Sequence, residues 1–169
     1  RILKAMRRGY TVERYLEICD TLRTEVEGIE LASDFIVGFP GESAEDFDQT
    51  VALMERVRFQ NSFVFKYSPR PGTDAAALPD DVPEEEKKRR NQVLLDVQER
   101  ISLDFNRRRI GQEMEVLVEG PSKRDPRRQT GRTDSHQIVN FEAGRNLEGT
   151  FATVEITGAS AVALSGALA

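Results

Sequence analysis

Two loops hold the residues of this chain best placed to do chemistry. The first closes the run Asp34-Phe35-Ile36-Val37-Gly38-Phe39-Pro40-Gly41-Glu42-Ser43, and the second is Tyr67-Ser68-Pro69-Arg70-Pro71-Gly72-Thr73. Each follows an apolar stretch and precedes a helix-like pattern, and in strand-loop-helix units the loop after the strand carries the chemistry. Gly38 and Gly41 let the backbone turn sharply or come close to a ligand, and a helix starting near Ser43 offers N–H groups to an anion or carboxylate. A tight turn with no ligand accounts for the same glycines. Asp34 is a carboxylate in an otherwise apolar strand, which is costly unless it is paired or faces a polar cavity. Lys66 poses the same problem in the next strand. Two readings stand open: both line a cavity, or they pair with each other across neighbouring strands. Arg70, between two prolines, is held out at little entropic cost, either towards an anionic ligand or towards Asp74. A third cluster lies in residues 120–132, where Lys123, Arg124, Arg127, Arg128 and Arg132 face one acid, Asp125. Such a loop suits a phosphate backbone; a solvated turn has the same composition.

The remaining equipment is sparse. The 169 residues include one Cys (Cys19) and one His (His136), which excludes an internal disulfide framework and a Cys-based metal site within the chain. Cys19, between Ile18 and Asp20 on a helix stripe, reads as a small core residue. The net charge is −5, so any nucleic-acid site must be a local basic patch. No apolar run reaches the roughly 20 residues of a membrane span. Arg1-Ile2-Leu3-Lys4 has no signal-peptide core, and we expect the chain to be part of a longer polypeptide.

The elements that must position these residues follow from periodicity. Thr11 caps a helix with Tyr15, Ile18, Leu22 and Val26 on one stripe, and Gly28 fits its end. Leu31–Phe39 is a strand. Ser43 and Asp46 form a near capping box for a helix with Phe47, Val51, Met54 and Val57 inside. Asn61–Tyr67 is a second strand. Pro83 at the first helical position, followed by Glu84, Glu85 and Glu86, opens a helix through Leu94, Val97, Ile101 and Phe105. After Gly111 the period changes to two: Met114, Val116 and Val118 alternate with glutamates. Gln129–Thr133, Gln137–Glu142, Thr150–Thr157 and Ala161–Leu168 follow as short strands, which suggests a small closed barrel. Phe141 reads as barrel core.

Met6-Arg7-Arg8-Gly9-Tyr10-Thr11, Ser33–Glu42 and Phe65–Thr73 resemble the radical-SAM methylthiotransferases, and the subfamily match is to the MiaB type. Val116–Lys123, Thr130-Gly131-Arg132-Thr133 and Val139-Asn140-Phe141 are similar to the TRAM barrel that ends those enzymes. The resemblance covers essentially the whole chain. It implies an α/β plus all-β architecture: residues 1–108 as the C-terminal part of a radical-SAM (β/α) barrel, and residues 109–169 as a five-stranded, OB-like TRAM barrel. It implies a cytoplasmic enzyme that uses S-adenosylmethionine and two 4Fe-4S clusters to place a methylthio group on carbon 2 of a prenylated adenosine beside the tRNA anticodon.

By that resemblance Asp34, Gly38, Pro40, Gly41, Glu42, Tyr67, Ser68 and Arg70 border S-adenosylmethionine. Lys123, Arg124, Arg132, Thr133 and Asn140 are the RNA-binding candidates for the anticodon stem-loop, with Asn140 open between bonding a base and bonding a turn backbone, and Arg127 and Arg128 contribute less. No catalytic residue and no cluster ligand is expected here; the three-cysteine loop and the amino-terminal domain would lie in a preceding part of the same polypeptide, so this portion alone should be inactive. The chain departs from the family pattern at Leu164-Ser165-Gly166, where a basic residue is expected. Two other functions remain in view: the related enzyme acting on a ribosomal-protein aspartate, and a non-catalytic RNA-binding module.

Overall fold

Thr11 accepts the Arg14 N–H on its side chain and so starts the first long helix. In the computed structural model, which describes all 169 residues, this is α2 (Val12–Glu25), after a single-turn α1 (Ile2–Ala5). Then come β1 (Ala32–Val37), α3 (Ala44–Val57), β2 (Asn61–Lys66), a short 3-10 turn and α4 (Glu84–Arg107). The barrel strands are β3 (Glu113–Pro121), β4 (Arg128–Arg132), β5 (Ile138–Glu142), β6 (Phe151–Ala159) and β7 (Leu164–Leu168). Two compact units result, Arg1–Gln98 and Glu99–Ala169, which divide within α4. No helix is long and apolar enough to cross a membrane.

In the first unit β1 and β2 pair in parallel, with Asp34 opposite Phe63 and Val37 opposite Lys66. Phe35 and Val37 are buried on one face of this two-stranded sheet, while Phe63 and Phe65 stand 57% and 52% exposed on the other. The Ser43–Asp46 capping box forms with both reciprocal bonds. Phe47, Met54 and Val57 of the expected α3 stripe are buried, and Val51 is half-buried. The expected place of Pro83 shifts by one residue: its carbonyl accepts the Lys87 N–H, so it flanks α4 instead of occupying the first helical position. The α4 side chains also stitch the sheet, since Asn91 donates to the Val64 carbonyl and Gln98 to the Phe59 carbonyl.

The second unit is a closed barrel in the order β3-β4-β5-β7-β6. All neighbours are antiparallel except β5 and β7. Alternation puts Val116, Val118, Val139, Phe141, Val154, Ile156 and Leu164 inside, each at most 1% exposed. At Gly131 and Gly166 any side chain would strike a neighbouring strand, which is why glycine stands at both. Asn106, in the last turn of α4, donates to the Ser160 carbonyl and fixes the helix end to the barrel.

Candidate functional site

The Gly38–Ser43 loop is held from within. Glu42 is buried, and its Oε2 accepts the Gly38 N–H at 2.6 Å and Arg90 Nη1 at 2.6 Å. Arg90 also donates to the Glu42 carbonyl and, through Nε, to Glu86. The Glu42 and Arg90 side chains are 2% and 6% exposed. Hydrogen bonds from Arg89 first, and from Arg90, pull the Glu86 carboxyl down to about 2. The aliphatic stem of Lys87 lies where a Gly38 Cβ would be, and Gly38 has φ +72. Lys87 Nζ reaches both Asp80 oxygens at 2.6 and 2.7 Å and sits 5.5 Å from the Tyr67 ring centre.

Four N–H groups at and before the start of α3 have partners within the unit. Gly41 donates to Asp81, Ser43 to the Asp46 carboxylate, Asp46 to Ser43 Oγ and Glu42 to the Phe39 carbonyl. The carboxylates that meet this turn belong to the chain itself, Asp46 at Ser43 and Asp81 at Gly41. The close approach allowed by Gly38 is to Lys87.

Asp34 is exposed, and its carboxylate makes no ion pair or hydrogen bond. It lines a cavity of about 200 Å³ with Ile36, Arg8, Tyr10, Tyr15 and Gln49. Tyr10 and Tyr15 stack there at 5.8 Å, and the Tyr15 hydroxyl bonds Ser33 Oγ at 2.9 Å. Burial pushes the Tyr15 phenol up against that bond. The Asp34–Lys66 pair does not form. Lys66 stands three levels along, at Val37, on the opposite face of the sheet, and ion-pairs with Glu84. Lys66 is therefore not a cavity residue either. The Arg70–Asp74 bridge is absent as well, because Asp74 pairs with Arg7. Ser68 and Arg70 are exposed, Pro40 is buried, and Tyr67 donates to the Ala75 carbonyl while packing edge-on against Phe39. Cys19 is buried in α2, and burial raises its thiol pKa. One such thiol cannot hold a four-iron cluster, which needs several thiolates.

In the barrel, Lys123 and Arg124 are exposed and carry no ion pair. Arg127 forks onto Asp125 at 3.0 Å. Arg132 pairs with Glu119 at 3.1 Å and donates to the His136 carbonyl. Arg128 Nη2 donates to the Asn140 carbonyl, leaving the Asn140 side chain half-exposed. Thr133 is buried, and its hydroxyl accepts the Gln137 N–H within the β4–β5 turn, where His136 takes φ 63.

The residues that sequence reasoning missed are Lys87, Arg90, Asp80 and Asp81. A signal was present: positions 87 and 90 continue the stripe 94, 97, 101 backwards at helical spacing, so two cations occupy inward positions of α4.

Residues 1–54 match the Radical SAM superfamily and residues 107–168 the TRAM domain. The chain is 48% identical over 166 residues to tRNA-2-methylthio-N(6)-dimethylallyladenosine synthase of Moorella thermoacetica, covering 98% of this chain and 37% of that protein. It is 52% identical over 160 residues to the protein of that name from Haemophilus influenzae strain PittEE, covering 93% and 33%. The Shewanella denitrificans protein of the same name is 49% identical over 156 residues, covering 92% and 33%. The chain spans about a third of the length of the curated relatives it matches.

Proposed function

We propose, for a chain whose residues 1–54 belong to the radical SAM superfamily and whose residues 107–168 form a TRAM domain, that it is the part of a tRNA methylthiotransferase that walls the cofactor cavity and grips the RNA. The domain boundary in this reading falls at 108/109, just past α4. The whole enzyme would act in the cytoplasm. It would add a methylthio group to carbon 2 of a prenylated adenosine next to the anticodon, with S-adenosylmethionine and two 4Fe-4S clusters as cofactors. What carries the reading is that both matches occur in order in one chain, with about half its residues shared with proteins named for that reaction.

The chain's own residues would divide the work as follows. Asp34, Pro40, Gly41, Ser68 and Arg70 border S-adenosylmethionine, which supplies the radical and the methyl group when bound. The unpaired Asp34 carboxylate beside a cavity supports the place of Asp34; Pro40, Gly41, Ser68 and Arg70 do not line that cavity and are placed by the family resemblance alone. Gly38, Glu42 and Tyr67 act one step back: Glu42 and Arg90 fix the loop, and Tyr67 shelters Lys87. The clusters need several thiolates and do not fit the residues of this chain, whose one cysteine is the buried Cys19. Lys123, Arg124, Arg132, Thr133 and Asn140 form the RNA side, with Lys123 and Arg124 in contact with phosphate and Thr133 shaping the turn.

The test uses the whole protein containing these residues, reconstituted with iron and sulfide under reduction and given S-adenosylmethionine. Mass spectrometry of a prenylated anticodon stem-loop should show the methylthio product. Modification of a ribosomal-protein aspartate instead, or of neither substrate, would overturn the assignment.

A further inference from the structure

The two outer faces of the barrel carry opposite chemistry. On β3 and β6 the outward positions include Glu113, Glu115, Glu119 and Glu155, with Glu113 directly opposite Glu155. Apart from the Glu119–Arg132 ion pair, no cation balances them. Phosphates are repelled there. On β4, β5 and β7 the outward positions are Arg128, Thr130 and Arg132, then Ile138, Asn140 and Glu142, then Ser165 and Ala167. Register places Thr130 opposite Asn140 and Asn140 opposite Ser165. Three short hydrogen-bonding side chains thus stand in one row across three strands. Arg128 and Arg132 lie two residues to either side of Thr130, and the exposed Lys123 and Arg124 precede β4.

We propose that this row reads the edge of one unpaired RNA base, while the cations beside it hold the flanking phosphates. The inference rests on the RNA-binding reading above and deepens it. Strands spaced about 4.8 Å apart put the three side chains over about 10 Å, the span of one base with its ribose. An amide flanked by two hydroxyls offers both donors and acceptors to a base edge. The face has no exposed aromatic ring, so it recognises by hydrogen bonding and not by stacking. A single-stranded loop presents such an edge, and a paired stem does not.

The experiment is fluorescence anisotropy of the 169-residue chain with two labelled RNAs, an anticodon stem-loop and a fully paired duplex of equal length. The double variant Thr130→Val, Ser165→Ala removes no charge and, at outward positions, leaves the thermal melt unchanged. Stem-loop affinity should fall about tenfold, with duplex binding and salt slope unchanged. Phe151→Ala, at a ring 68% exposed on the acidic face, should change nothing. Equal loss on both RNAs, no loss on either, or a larger loss from Phe151→Ala overturns the inference alone. Absence of any binding by the unaltered chain overturns the RNA reading and this inference with it.

Discussion

The loop at Gly38–Ser43 and the loop at Ser122–Arg127 each follow a strand and carry charged side chains, yet those charges are used in opposite ways. In the first, the Glu42 carboxylate and the Arg90 guanidinium are buried and consumed by partners within the unit. In the second, Lys123 and Arg124 extend into solvent with no partner. A buried, fully satisfied network fixes one geometry, and removing a member strands a charge. A solvated cation adds little to folding and keeps its charge for a ligand. The first loop should therefore answer mutation through stability, and the second through binding.

The comparison breaks most sharply at Arg90. Arg90→Ala leaves the Glu42 carboxylate buried without its cation and should cost about 3–5 kcal/mol in urea unfolding of the first unit. A cost below about 1 kcal/mol would mean that the network does not hold the loop. Gly38→Ala should cost about 1–3 kcal/mol, because it sets a Cβ against the Lys87 stem at φ +72. A melt that matches the unaltered chain would show that the loop yields freely.

Acid titration gives a smaller effect. The folded Glu86 carboxyl lies at about 2, below its ordinary value of 4.5. Its contribution to stability is thus present above pH 4.5 and is lost as pH falls towards 2. Thermal melts across that window should decline less steeply for Glu86→Gln; an unchanged decline would place the acid sensitivity elsewhere.

Local signals made most of the architecture legible. Ser43 and Asp46 are three residues apart, and a capping box needs nothing more distant. The alternation of Met114, Val116 and Val118 with glutamates already divides inside from outside. The partners of isolated charges were not legible, because register sets them. Lys66 found Glu84 instead of Asp34, and Arg132 found Glu119 across the β3–β4 pair. The partner of Gly41 was hidden for a related reason: Asp81, which accepts the Gly41 N–H, lies forty residues on, beyond the reach of any local pattern.

The most direct test of the account is the salt dependence of stem-loop binding by the 169-residue chain, compared with Lys123→Ala, Arg124→Ala and with Arg132→Ala. The double variant should weaken binding to all stem-loops about equally and flatten the slope of log affinity against log salt by about two units. Arg132→Ala should flatten it by less than one, since Glu119 already balances that charge. An unchanged slope in the double variant would contradict the account, reducing this loop to a solvated turn and placing the RNA grip elsewhere.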